Sequence, residues 1–290
     1  MIHPLRLIAC GVALLIVLPF HARRQIIAQT SPAALRAALT FHASFDGTAD
    51  AVFAAGNPKV ATAPSMSRRQ ESTPGLPVGG EAVLATGAGR FGDALRFTQR
   101  RKPAVYFEAG RNVAYQAANW SGTVSFWLSV DPAAELEPGF CDPIQITPRA
   151  WNDAAFFVEF EKRPESIPFR LGAYADLAVW NPEGRKFEDV LPAERPLIAV
   201  EQPPFGRAKW THVVFTYDRF NTGQADGVVR LYLDGVAAGQ LSGRTQTFTA
   251  RLSRCRMWLA EGEGFEPPLR FPVERFSRPP VSTTHTSLQT

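Results

Sequence analysis

The sequence predicts an all-β protein, a sandwich of two facing antiparallel sheets, on three observations. Trp210 to Tyr217 is a run of β-branched and aromatic residues, the composition of a well-packed strand. The apolar run Leu231-Tyr232-Leu233 ends at Asp234-Gly235, a pair that tolerates positive φ at both central turn positions and so closes a two-residue hairpin. Gly122 to Val130 alternates cleanly. Val124, Phe126, Leu128 and Val130 fall on one face, and Thr123, Ser125, Trp127 and Ser129 on the other.

Further strands follow the same pattern. Leu39 to Phe45 alternates apolar and polar residues before Asp46-Gly47. Residues 54–80 are loaded with proline, glycine, serine and alanine and predict a long surface loop. Strands resume at Ala94 to Phe97 and Ala104 to Phe107, then at Ala154 to Phe160 and Arg170 to Trp180. Beyond the first 29 residues, no window of twelve or more has a convincing helical period, which argues for a single sandwich. From about Arg251 the alternation breaks. Pro267, Pro268, Pro272, Pro279 and Pro280 would interrupt any central strand, because proline donates no ladder hydrogen bond. Residues 260–290 are expected to be irregular.

With 45% hydrophobic and 20% charged residues, the 290-residue chain has a globular rather than a disordered composition. Its pI near 9.1 invites a nucleic-acid reading. Setting aside Arg6, Arg23 and Arg24 of the first 29 residues leaves 28 basic against 27 acidic residues, and no basic stripe to track phosphates. Nucleic acid is therefore not expected as a partner. Arg6 precedes the apolar run Leu7 to Phe20, which is short for a membrane span and suits a signal-peptide core. Residues 1–29 are thus expected to be a signal peptide. The alternative is an uncleaved anchor helix, since Arg23 and Arg24 follow the run and weaken the charge asymmetry. The protein is expected to be exported: periplasmic, at the cell surface or secreted.

Cys141 and Cys255 are too few for a disulfide scaffold, and leave open one bridge or two unpaired thiols. Gly87 to Gly92 matches G-x-G-x-x-G, but a strand follows it instead of the helix N-terminus that a pyrophosphate needs, so it is a glycine-rich turn.

Four segments occur in a recognisable order: Gly89 to Phe97, Ser121 to Trp127, Trp210 to Val213 and Leu231 to Gly235. With them the chain resembles the laminin G-like jelly rolls of the concanavalin A-like lectin/glucanase superfamily, in the form found in exported bacterial proteins. The resemblance covers roughly Thr40 to Phe248 and implies one jelly-roll domain over residues 39–259. Family members normally close with a further strand that packs back on the first. That segment is not recognisable here, and the stretch from Glu261 onward resembles translation past a frame break.

Glu159 and Glu161 lie on one face of a predicted strand, and glucanases of the superfamily use paired carboxylates on such a strand, one attacking and one protonating. Here Lys162 and Arg163 interrupt that pattern, and solvated strand charges explain the pair as well. His212 has no serine or cysteine motif beside it. The stronger candidate is a face. Tyr174, Asp176 and Trp180 share the polar side of their predicted strand, with Trp127 and Glu159 on the polar sides of two others. Aromatic rings that stack on sugars, flanked by carboxylates that accept from hydroxyls, make a carbohydrate platform. The same aromatics would equally fill a core under loops. For a metal, calcium is the candidate, with Asp218, Asn221 and Asp226 supplying hard oxygens; a plain hairpin loop accounts for the same residues. Asn119-Trp120-Ser121 is a glycosylation acceptor pattern, expected by chance in a bacterial-looking chain.

The function expected is an exported, noncatalytic binding module for carbohydrate or an extracytoplasmic protein. A glycan-active hydrolase or lyase on the same fold and a structural or adhesive domain are the competing classes.

Overall fold

A computed structural model describes residues 32–99, 103–148, 150–249, 255–262, 270–271 and 273–277. The expected signal or anchor segment, residues 1–29, lies outside them. The first strands are β1 (Leu39–Ala43), β2 (Phe53–Ala54), β3 (Val60–Ala63), β4 (Thr73–Pro74), β5 (Ala82–Ala85) and β6 (Ala94–Phe97). Next come β7 (Ala104–Glu108), β8 (Trp120–Ser129), β9 (Gly139–Thr147), β10 (Ala155–Lys162), β11 (Phe169–Tyr174) and β12 (Leu197–Val200). The last are β13 (Trp210–Phe220), β14 (Gly227–Leu233), β15 (Val236–Arg244), β16 (Arg256–Gly262), β17 (Arg270–Phe271) and β18 (Val273–Ser277). Among the described residues there are three short α-helices, α1 (Pro32–Ala38) before β1, α2 (Pro132–Glu135) and α3 (Leu177–Trp180).

The strands form two antiparallel sheets. Sheet A runs β15-β14-β13-β8-β17-β6-β5, with β18 bridging β8 to β1 and β2 pairing with β1. Sheet B runs β12-β11-β10-β9-β16-β7-β3-β4. Inward residues from both sheets make one core. Val124, Phe126 and Leu128 of β8 and Val213 and Phe215 of β13 meet Phe156, Val158 and Phe160 of β10 and Leu171 and Ala173 of β11. At the Asp234-Gly235 turn both residues take positive φ, 50° and 79°, which closes β14 onto β15 as the sequence predicts. The fold class is the predicted all-β, two-layer antiparallel sandwich.

Three expectations are corrected. The stretch 54–80 is not all loop, because β3 pairs with β7 and buries Val60 against the core. The strand read over Arg170 to Trp180 stops at Tyr174. Beyond it α3 forms one helical turn, leaving Leu177 and Val179 exposed instead of inward. The irregular segment expected from residue 260 carries β17 and β18 and the end of β16. β16 lies in the middle of sheet B between β9 and β7, burying Met257 and Leu259, and β18 pairs with β1. Closing strands are therefore present among the described residues. The rest of 260–290 lies outside the described residues. Cys141 and Cys255 are free and buried. They sit at opposite ends of β16's pairing, since Cys141 faces Gly262 while Cys255 precedes Arg256.

Candidate functional site

The five residues predicted to share one carbohydrate platform do not share one. Trp127 points away from the core on sheet A, where it stacks on His212 at 4.7 Å and 16°, with Phe91 edge-on at 5.8 Å. The Arg90 guanidinium covers the Trp127 ring at 5.3 Å. Glu159 and Tyr174 point outward from sheet B, on the opposite side of the sandwich. One alternating pattern on each strand cannot reveal which sheet the strand joins, and that is where the prediction failed.

On sheet B's outer face, Glu159 is buried beside Arg170 of β11, which bonds the carboxylates of both Glu159 and Glu161. Arg163 also bonds Glu161, and Phe140 lies 5.1 Å from the Arg170 guanidinium. Burial holds the Glu159 carboxyl above its ordinary range, against the opposing pull of Arg170. One guanidinium thus bridges the two carboxylates.

Next along this face is an aromatic shelf. Phe157 stacks on Tyr174 at 5.5 Å, and Tyr174 meets Trp151, Trp180 and Phe187 edge-on or tilted at 5.5, 5.0 and 6.5 Å. Gly172 makes room for the Phe157 ring, since a Cβ there would stand 2.3 Å from Cζ. Tyr174 is fully buried with no hydrogen-bond partner for its hydroxyl, and burial pushes that phenol well up. Trp151, in the turn between β9 and β10, is 41% exposed.

A pocket of about 490 Å³ is lined by Asp153, Asp176, Leu177, Ala178, Asn181, Pro182, Gly184 and Thr249, of which Asp153 lies two residues beyond Trp151 and Asn181 directly follows Trp180. Its walls are tied together locally. Asp153 Oδ1 accepts from the Leu177 amide at 3.0 Å, satisfying a free donor at the start of α3. Asp176 Oδ2 accepts from the Thr249 amide at 2.8 Å and from its hydroxyl, leaving Oδ1 without a partner. Asn181 is held by Arg185, accepting from its amide at 3.1 Å and donating to its carbonyl at 2.8 Å. Trp180 Nε1 donates to the Asn152 carbonyl at 2.8 Å, fastening α3 to the Trp151 turn.

Of the predicted residues, Tyr174, Asp176 and Trp180 come together here, and Glu159 lies farther along the same face. Trp151, Asp153 and Asn181 were missed. The signal that could have found them is an aromatic residue followed by Asn-Asp between two strands, a turn composition.

The residues read as a calcium loop are otherwise engaged. Ser121 donates to Asp218 at 2.7 Å, and Thr222 donates to Asp226 at 2.7 Å. Arg219 lies 3.9 Å from Asp218 and 3.8 Å from Asp226. Asn221 ties the Gln116 carbonyl to the Phe248 amide. Among the described residues, no group of three or more histidine, cysteine, aspartate or glutamate side chains could hold a metal ion.

No family model matches the chain, and no curated protein matches it. Among solved structures it is similar to the binding domain of Paraclostridial Mosquitocidal Protein 1, at 10% identity and a TM-score of 0.46, over 83% of this chain. The chain spans about half of that domain's length, 48%. It is similar to the marine PL-14 alginate lyase from Aplysia kurodai at 12% identity and TM-score 0.42, covering 69% of this chain and 87% of the lyase. For the Emp47p carbohydrate recognition domain the values are 10%, 0.39, 76% and 94%. Among the described residues, no helix is long and apolar enough to cross a membrane.

Proposed function

We propose that the chain is a noncatalytic carbohydrate-recognition module whose glycan site is the pocket beside Trp151 and Trp180 at one end of sheet B. The observation that carries this reading is an exposed indole, Trp151, two residues before the Asp153 that lines the pocket with Asp176, on a turn that Trp180 fastens to α3. A sugar ring has apolar faces that an indole covers and equatorial hydroxyls that donate to carboxylates, so both chemistries are needed side by side. The motif order from Gly89 to Gly235 supports placing the module among exported laminin G-like jelly rolls.

Noncatalytic recognition is favoured over hydrolysis by the Arg170 clamp. A retaining or inverting glycosidase needs two independently titrating carboxyl groups across the scissile bond. Glu159 and Glu161 instead share one guanidinium on one side. A glycan array followed by calorimetry with Trp151→Ala tests the reading. The expected result is binding that Trp151→Ala weakens by about 0.5–1.5 kcal/mol, the worth of one aromatic contact. Release of reducing or unsaturated ends from any bound polysaccharide would overturn the noncatalytic assignment.

A further inference from the structure

We infer that Phe187, held under the Arg195 guanidinium, is the positioning residue that fixes the Trp151 indole in place before a sugar ring arrives. The inference rests on the proposed glycan site and adds the residues that set its geometry.

The starting observation is a connection far longer than its strands require. β11 and β12 are antiparallel neighbours, which a two-residue turn can join, yet residues 175–196 lie between them. Ordered connections of that length generally carry function. This one is tied down at several points. Arg244 of β15 donates to the Ala193 carbonyl at 2.7 Å and to the Glu194 carbonyl at 2.6 Å, and Arg185 pairs with Glu194 at 2.8 Å. Val190 is buried. Arg195 folds back over the segment: its Nε donates to the Val190 carbonyl at 3.0 Å, and its guanidinium lies 4.3 Å from the Phe187 ring centroid. A cation over an aromatic face is held by the ring quadrupole, so Phe187 is fixed from within its own connection.

Phe187 in turn meets Trp151 edge-on, with 5.1 Å between centroids and 88° between planes. Trp151 belongs to a different connection, the turn between β9 and β10, and is 41% exposed. Its other ring contacts are Tyr174 of β11 at 5.5 Å and Phe157 of β10 at 6.3 Å. Of the three, Phe187 is the nearest and the one that no strand supplies. An indole on a turn keeps its side-chain freedom unless packing removes it, and freezing that freedom on binding costs affinity. The three rings remove it in advance. Phe187 is half-buried and stands outside the core between the sheets, so its ring acts on Trp151 rather than on the sandwich.

The test replaces all six tryptophans with fluorotryptophan and reads fluorine NMR relaxation of the full chain without ligand, the Trp151 line being assigned by its loss in Trp151→Phe. The wild-type Trp151 line is expected to relax as fast as those of the buried Trp120 and Trp258. Phe187→Ala should slow the relaxation of the Trp151 line and leave the other five unchanged, and Phe187→Tyr, which keeps the ring, should restore the wild-type rate. Arg195 lies over Phe187 and over no other ring among the described residues, so slowed relaxation at Trp151 in Arg195→Met shows that the effect passes through Phe187. On a glycan array, Phe187→Ala should weaken the signals of the wild-type set by about two- to tenfold without changing its members. A Trp151 line that relaxes alike in wild type, Phe187→Ala and Arg195→Met overturns the inference and leaves the glycan site standing. An array silent with the wild type removes the glycan site, while the relaxation rates still decide what holds the indole.

Discussion

Arg170 of β11 reaches across to β10 and bonds Glu159 where both residues are buried, at 8% and 6% exposure. The same guanidinium bonds Glu161, so one cation organises two carboxylates on the outer face of sheet B. Arg170→Met leaves that buried negative charge without its partner, and the expected loss is about 3–5 kcal/mol of unfolding free energy in denaturant titration. A loss within the range of a surface substitution would show that the clamp is not buried in solution.

Titration of Glu159 gives a second, signed expectation. Burial raises its folded-state pKa above the ordinary 4.5, so its contribution to stability is complete below that value and is lost as pH rises through the folded value. Glu159→Gln removes the titration and keeps a similar shape. Between about pH 4 and about pH 7 the wild type should lose stability relative to this variant. A difference that moves the other way with pH would mean that Arg170 outweighs burial.

Gly172→Ala places a methyl group where the buried Phe157 ring lies, 2.3 Å from Cζ. The ring is stacked on Tyr174 and meets Trp151 edge-on. Overpacking should cost roughly 1–3 kcal/mol, read by chemical denaturation. A neutral substitution would place the aromatic shelf differently.

Chelator and calcium should leave the melting temperature unchanged. Arg219, facing Asp218 and Asp226, supplies the positive charge that an ion would otherwise bring. A ligand that binds the folded state alone raises its stability by mass action, so a rise in melting temperature with millimolar calcium would contradict this account.

What could be read from the sequence follows from what periodicity encodes. β8 and β13 alternate over most of their ten and eleven residues with an inner side that is apolar apart from Thr211, and Asp234-Gly235 has one favoured geometry. β9 was not legible, because Asp142-Pro143 interrupts it. The structure has a register shift against β10 at that point, between the pairs Val158–Ile144 and Phe160–Cys141, and proline is tolerated at such a bulge. β3 is four residues long amid prolines and gains its place from pairing with β7 and β4. At the site, alternation found Tyr174. It also carried the strand through Trp180, because a single helical turn is too short to show a period of 3.6. Trp151 and Asp153 belong to a turn, where position is set by tertiary contacts that no local pattern records.

The separation of Trp127 from the site yields a direct control. Trp127→Ala alters only the outer face of sheet A and should leave glycan affinity at the wild-type value, whereas Trp151→Ala should weaken it. Equal weakening by both would join two surfaces that the sandwich holds apart.

A crystal structure with a glycan identified on the array tests the central claim most directly. The account predicts a sugar ring packed against Trp151, with its hydroxyls towards the pocket that Asp153 and Asp176 line. Sugar density instead over Trp127 and Phe91 on sheet A, with the Asp176 pocket unchanged, would contradict it.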